Sequence, residues 1–244
     1  MGAGFSMKTS LGCLARLSAV LVMLGCAQSL YAGSIYNVVT GFSGTSNPNG
    51  VWTYDYNGTA YTSSQEVSNY LGTGLSGWST GEAVPNRIYI LQNVTGGTVT
   101  YSTVQDPTST LWMDPESGTV SIVFTAPSAG IYTITGDFLG IDKYENSHPV
   151  EILDNGTVIW SGTISSDGGK DSFSLLETLK AGGTLTFYVG TGSSGCTYCD
   201  LSTGLDGTIT EGATTVPEPG TLIMLGSGLL GLIPMLRRKW FAQS

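Results

Sequence analysis

The sequence predicts an all-β fold: a single β-sandwich or jelly-roll domain, flanked by an N-terminal signal-peptide helix and a C-terminal transmembrane helix. Short segments of the body alternate apolar and polar residues between turns rich in Gly, Ser and Thr, a pattern typical of half-buried strands. No long stretch of the body has a helical period, whereas each end carries an apolar run beside basic residues. We therefore predict a signal peptide at 1–32, the β domain at 33–215 and a membrane-directed segment at 216–244.

The body contains nine segments with the strand pattern. In residues 120–125 and 185–189 an apolar side chain recurs at every second position, so each segment presents one apolar face to a core. The nine predicted strands are 51–56, 87–91, 98–103, 119–125, 131–138, 150–153, 157–164, 184–189 and 207–210. Between two of them, Asp154-Asn155-Gly156 predicts a tight hairpin turn, because Asn and Gly tolerate positive φ. Asp154 is therefore interpreted as a turn residue and not as a ligand.

The charge is distributed unevenly along the chain. Residues 33–216 hold four Lys and Arg against 17 Asp and Glu, a formal charge of −13, compared with −9 for the whole chain. A surface this acidic repels a phosphate backbone, so we expect no nucleic-acid partner.

The C-terminal segment has three parts, each with its own physical role. Pro217-Glu218-Pro219 is followed by an apolar run of 16 residues at 221–236 and then by Arg237-Arg238-Lys239. As a helix the run would rise about 24 Å, less than the roughly 30 Å of a bilayer core. The three cations keep the end of the chain in the cytoplasm. Hydropathy alone leaves two alternatives, an ordinary anchor and a transient membrane stop.

This order of parts resembles the PEP-CTERM sorting signal of exopolysaccharide-producing Gram-negative bacteria. The resemblance implies that an exosortase-type enzyme recognises Pro217-Glu218-Pro219 and removes or transfers the tail. It also implies an inner-membrane precursor, held transiently through 221–236, that later reaches the cell surface or extracellular matrix. The other end agrees, since Lys8 and Arg16 precede an apolar stretch at 17–24 that is typical of a secretory signal peptide.

Residues 124–142, 185–190 and 198–205 resemble jelly-roll domains of the carbohydrate-binding-module type. Such domains often carry a structural calcium, for which Asp137, Asp142 and Glu145 are the candidates because they offer hard oxygens within one stretch. Aromatic faces stack on sugar rings, and the stacking candidates are Trp52, Tyr54, Trp78 and Trp112. We expect most of these four rings to be core and one or two to be exposed.

The body offers little for catalysis. Its one histidine, His148, precedes Pro149 and is expected at the surface or in an edge strand. No Gly-x-Ser-x-Gly elbow precedes a helix. Paired carboxylates are the alternative: Asp114 with Glu116, or the acids between 137 and 145, could act as in a glycoside hydrolase.

Cys196 and Cys199 lie in a Gly- and Ser-rich loop, where we predict a disulfide in an oxidising compartment. A zinc half-site is the alternative, but the body has no second pair of thiols to complete it.

The sequence is compatible with two function classes. The first is a non-catalytic exported surface or matrix protein, without a cofactor unless calcium is bound, that binds exopolysaccharide. The second is a secreted hydrolase that acts on glycans through two carboxylates.

Overall fold

The computed structural model describes residues 29–30, 33–81, 87–116, 118–191, 200–212 and 215–216. In these ranges strands are the main regular structure, and two 3₁₀ turns lie at Ser63–Gln65 and Tyr70–Gly72. The strands are β1 (Ser29–Leu30), β2 (Ile35–Asn37), β3 (Trp52–Tyr56), β4 (Thr59–Ala60), β5 (Glu66–Val67), β6 (Leu75–Ser79), β7 (Tyr89–Asn93), β8 (Val99–Tyr101), β9 (Val104–Asp106), β10 (Leu111–Asp114), β11 (Thr119–Thr125), β12 (Gly130–Gly140), β13 (His148–Asp154), β14 (Thr157–Ile164), β15 (Lys170–Leu179), β16 (Thr184–Gly190), β17 (Thr203–Glu211) and β18 (Thr215–Val216). The all-β prediction is confirmed.

Two antiparallel sheets form the body. The larger has the order β15-β12-β17-β10-β7-β6-β5, and β2 also pairs with β17. The smaller has the order β14-β13-β16-β11-β3-β4. On one side of β17 its first residues pair with β10 and its later residues with β2, while β12 pairs along the other side. The start of β17 is therefore held between β10 and β12, at the edge of the region where the candidate site lies.

Residues Gly33–Gly212 form one compact unit, and the described remainder of the chain is the antiparallel pair of β1 and β18. No helix among the described ranges is long and apolar enough to cross a membrane. The apolar segments at 17–24 and 221–236, for which we predict helices, lie outside the described residues.

The inner faces of the two sheets enclose the main core. In β11, Val120, Ile122 and Phe124 are fully buried, while the residues between them are half-buried. The aromatic members of this core include Trp52, Tyr54, Tyr61, Trp78, Tyr132, Phe138, Phe173 and Phe187. Burying each large aromatic side chain contributes about 2–3 kcal/mol, so this interface supplies most of the driving force for folding.

A second core lies on the opposite face of the larger sheet. In β7, Ile90 belongs to the main core, whereas Tyr89 and Leu91 belong to the second. The remaining buried members of the second core are Tyr70, Leu75, Val104, Trp112 and Ile141. Val104 comes from the β8–β9 hairpin, and the half-buried Val99 and Tyr101 of the same hairpin pack against this cluster. The larger sheet is therefore buried on both faces where β6, β7 and β10 meet.

All nine predicted strands are present, with shifts of a few residues at their ends. The predicted hairpin turn is also confirmed: it joins β13 to β14, with φ of 46° at Asn155 and 83° at Gly156. The sequence prediction missed three longer strands, β6, β10 and β15.

Candidate functional site

A small acidic pocket borders the second core. It has a volume of about 100 Å³, well below the ~300–1,000 Å³ of typical ligand pockets. It lies where the end of β10 meets the start of β7, in a pairing that sets Asp114 opposite Tyr89. Its lining residues are Arg87, Tyr89, Tyr101, Ser102, Thr103, Val104, Trp112, Asp114, Glu116, Asp142, Asp200 and Ser202. A pocket of this size admits a small ligand or one end of a larger one.

Asp114 is fixed inside the pocket wall. Its Oδ1 accepts the backbone N–H of Glu116 at 3.0 Å, and its Oδ2 accepts the hydroxyls of Tyr89 at 2.9 Å and Ser202 at 3.0 Å. Burial raises the pKa of Asp114 to about 6, and these hydrogen bonds limit the rise. Both carboxyl oxygens are thus engaged by the protein, and Asp114 shapes the pocket more than it serves a ligand.

Glu116 and Arg87 leave polar atoms unpaired at the same place. Only 8% of the Glu116 side chain is exposed, and its Oε1 lies 4.0 Å from Arg87 Nη2. Glu116 Oε2 and Arg87 Nε have no hydrogen-bond partner within the described part of the chain. Burial, followed by repulsion from Asp114, raises the pKa of Glu116 to about 7. Trp112 Nε1, on another lining residue, is also buried without a partner, so among the described residues the pocket lining has one unpaired acceptor and two unpaired donors.

Asp142 also lines the pocket. Its Oδ2 accepts the Thr103 hydroxyl at 2.8 Å and its Oδ1 accepts the N–H of Tyr144 at 2.8 Å. Its own N–H donates to Glu145 Oε2 at 3.1 Å. These bonds tie the turn that follows β12 to the β8–β9 hairpin, and they occupy both oxygens of Asp142.

His148 is buried, so the prediction of a surface or edge-strand histidine is wrong. β13 pairs on both sides, and its first residue points inward. His148 Nδ1 lies 2.8 Å from the Asn146 carbonyl oxygen and Nε2 lies 2.6 Å from Thr203 Oγ1. Since a carbonyl can only accept, Nδ1 carries the proton and Nε2 accepts from Thr203.

Glu145 Oε1 lies 3.6 Å from His148 Nδ1, yet the two do not form an ion pair. Burial raises the pKa of Glu145 to about 9 and lowers the pKa of His148, so both are neutral near pH 7. Neither side chain is exposed. The Thr203–His148–Glu145 contacts resemble a catalytic triad only in residue type, because no substrate can reach them in this conformation.

The three calcium candidates are not brought together. Asp137 accepts hydrogen bonds from Lys170 Nζ at 3.2 Å and from the Ser172 hydroxyl, on the exposed side of β12 and β15. Its pKa is lowered, mainly by the Ser172 hydrogen bond. Asp142 and Glu145 instead lie in the buried turn after β12. No group of three His, Cys, Asp or Glu within the described ranges is arranged to hold a metal ion.

All four stacking candidates are core residues: the expectation that most of them are buried is confirmed, and the expectation that one or two are exposed is wrong. The exposed fractions are 3% for Trp52, 0% for Tyr54, 1% for Trp78 and 1% for Trp112. The first three pack between the sheets, and Trp112 meets Tyr89 edge-on at 4.9 Å in the second core. A ring covered on both faces cannot stack on a sugar.

A second, shallower groove lies over Tyr61 and Trp78, with a volume of about 610 Å³. Hydroxyl side chains form its rim, among them Thr45 and Ser63. Its buried polar atoms are paired: Trp78 Nε1 donates to the Ser43 carbonyl and the Tyr61 hydroxyl donates to the Ile88 carbonyl. In contrast to the acidic pocket, none of the groove's described lining residues has a buried polar atom without a hydrogen-bond partner.

Several predicted sites lie outside the described residues. These are the disulfide of Cys196 and Cys199, the motif Pro217-Glu218-Pro219, and the membrane stop Arg237-Arg238-Lys239. The disulfide and the membrane stop stay predictions.

Residues 215–239 match the family model of the PEP-CTERM protein-sorting motif. The chain carries this motif, as its sequence predicts, and the motif indicates an exported protein that is sorted to the cell envelope. No curated protein matches the chain with significant sequence similarity.

The solved structures that the chain matches include carbohydrate-binding modules. A family 35 module from Clostridium thermocellum is 12% identical with a TM-score of 0.29, covering 77% of this chain and 100% of that one. The CBM35 of Cellvibrio japonicus Abf62 is 13% identical with a TM-score of 0.33, covering 74% and 95%. The CBM36-1 domain of a multidomain xylanase from the hindgut metagenome of Trinervitermes trinervoides is 12% identical with a TM-score of 0.32, covering 51% and 97%. Scores this low do not assign a ligand to this chain.

Proposed function

We propose that this chain is a non-catalytic polysaccharide-binding protein presented at the surface, or in the extracellular matrix, of a Gram-negative bacterium. An exosortase-type enzyme processes the sorting motif at 215–239, after a precursor stage in which 221–236 is inserted in the inner membrane. The polysaccharide is the cell's own exopolysaccharide, and it is bound at the acidic pocket.

One observation carries the binding proposal: Arg87 Nε and Glu116 Oε2 are desolvated in the same pocket, and neither has a hydrogen-bond partner among the residues that the structure describes. A buried polar atom without a partner costs about 1–3 kcal/mol. A sugar hydroxyl both donates and accepts, so two neighbouring hydroxyls satisfy both atoms at once. The small volume of the pocket fits one edge of a sugar unit at a chain end or branch.

The alternative, a glycan hydrolase with two carboxylates, has one observation in its favour. Asp114 and Glu116 line the same pocket, and both have raised pKa values, about 6 and about 7. Both oxygens of Asp114 are occupied by protein donors, however, so this pair offers one free carboxylate, that of Glu116, where hydrolysis needs two on either side of a bond. The geometry thus favours binding without cleavage.

We expect the full chain, purified in mild detergent, to co-sediment with exopolysaccharide from the producing cells and to release no reducing ends from it. Arg87→Gln should weaken this binding roughly tenfold, since it removes a charged hydrogen-bond donor. The matched control Lys180→Gln removes the same charge from an exposed position outside the pocket and should bind as the wild type does. Failure of the folded wild-type chain to co-sediment would refute the proposal, and release of reducing ends would favour the hydrolase.

A further inference from the structure

We infer that the acidic pocket binds the ammonium group of an amino sugar, so that the recognised polymer is one with unacetylated amino groups. The inference rests on the polysaccharide binding proposed above and names the chemical class of its ligand. Glu116 Oε2 accepts one hydrogen bond from the ammonium, and the Ser102 hydroxyl at the pocket wall offers a second acceptor.

The net negative charge of the pocket favours a cationic ligand. Its described lining contains four carboxyl groups, on Asp114, Glu116, Asp142 and Asp200, against the single guanidinium of Arg87. When all are ionised the net charge is −3. The guanidinium is 4.0 Å from the nearest Glu116 oxygen, too far for a hydrogen bond. Buried negative charge without a close partner is costly, and a positive ligand relieves that cost.

The protonation state of Glu116 explains why the pocket prefers a free amine to an acetylated one. Burial raises the pKa of Glu116 to about 7, with repulsion from Asp114 adding to it, so the empty pocket is part protonated near neutral pH. An ammonium group stabilises the ionised form of Glu116 and lowers that pKa. An N-acetyl group in the same place carries no charge and cannot do so. The free amine is therefore bound in preference to its acetylated form.

The number of free oxygens fits an ammonium better than a metal ion. Both oxygens of Asp114 and both of Asp142 already accept hydrogen bonds from the protein. Among these three residues, in the described part of the chain, Glu116 alone offers carboxyl oxygens without a protein donor: Oε2 is buried and unpaired, and Oε1 lies 4.0 Å from Arg87 Nη2. Calcium takes about 6–8 oxygen ligands, whereas an ammonium has only three donors to satisfy. The volume of about 100 Å³ holds an amine and the ring atoms next to it.

Calorimetry on the full chain in mild detergent tests this with two probes, a glucosamine oligomer and the N-acetylglucosamine oligomer of equal length. At about pH 7 we expect the free amine to bind roughly tenfold or more tightly, as charge-assisted hydrogen bonds require. Glu116→Gln should abolish that preference. Glu116→Asp, which keeps the charge, should retain part of it. The control Glu66→Gln changes an exposed carboxylate outside the pocket and should leave the preference intact.

Different results separate the two proposals. Equal affinity for both oligomers, or displacement of the glucosamine oligomer by calcium chloride at a matched ionic strength, would overturn the ammonium inference and leave polysaccharide binding standing. A preference that survives in folded Glu116→Gln would also overturn it. Absence of binding to both oligomers and to the native exopolysaccharide would remove the proposed function itself.

Discussion

Asp106→Asn is expected to stabilise the protein, and the gain should grow as the pH rises. Asp106 is fully buried in β9, and neither of its carboxyl oxygens has a hydrogen-bond partner in the described residues. Burial raises its pKa to about 8. The native state therefore keeps a proton that the unfolded chain releases above about pH 4. Below that pH, Asp106 does not lower the free energy of unfolding. Above it, Asp106 lowers this free energy by about 1.4 kcal/mol per pH unit as the pH rises towards 8.

Urea denaturation at about pH 5, 7 and 8.5 measures this effect. Asn is neutral at all three values, so the variant should gain little at the lowest pH and a few kcal/mol at the highest. Asp114, Glu116 and Glu145 also have raised pKa values, so the variant keeps some pH dependence of its own. Asp167→Asn, at an exposed turn, should change nothing. An equal gain at every pH would show that Asp106 does not titrate in this window.

Leu75→Ala should destabilise the protein by about 2–5 kcal/mol, because it opens a cavity in the second core. Leu75 is fully buried there, in a cluster that also contains Tyr70 and, from the neighbouring strand β7, Leu91. The same truncation at Leu176, whose side chain is 67% exposed on β15, should cost less than about 0.5 kcal/mol. The two variants remove the same atoms, so their difference isolates burial.

Thermal or urea unfolding of both leucine variants provides the measurement. Equal, small losses for the two would mean that the outer face of the larger sheet is not packed by the β8–β9 hairpin. Tyr101 to Val104 would then not line the acidic pocket, and the pocket described above would be wrong.

The alternation rule located strands that are buried on one face only. β11 and β14 were predicted with the bounds that the structure shows. β10 was missed because all four of its residues are buried. A strand that is packed on both faces does not alternate between apolar and polar residues. β15 was missed because Leu176 faces solvent beside the half-buried Leu175, which breaks the period of two.

The candidate site was predicted only where its residues are neighbours in sequence. The pair Asp114 and Glu116 could be proposed from its spacing, and the structure places both in one pocket. Arg87 and Ser202 come from distant parts of the chain, brought there by the pairing of β10 with β7 and β17. Such register depends on which strands meet, and a single sequence does not encode it locally.

The aromatic residues of the sequence did not predict where a sugar could stack. Tyr and Trp serve equally well in a sandwich core and on a sugar-binding surface. Only the packing of the two sheets shows that Trp52 and Trp78 lie between them. Their presence in the sequence therefore carried no information about binding.

The central claim is that polysaccharide binds at the acidic pocket. Amide chemical-shift mapping of the full chain in mild detergent, titrated with fragments of the native exopolysaccharide, tests it most directly. We expect the shifts to concentrate at Arg87, at 101–104 and at Glu116, all of which line the pocket. Shifts confined to the hydroxyl-rimmed groove around Thr45 and Ser63, or the absence of any shift, would contradict it.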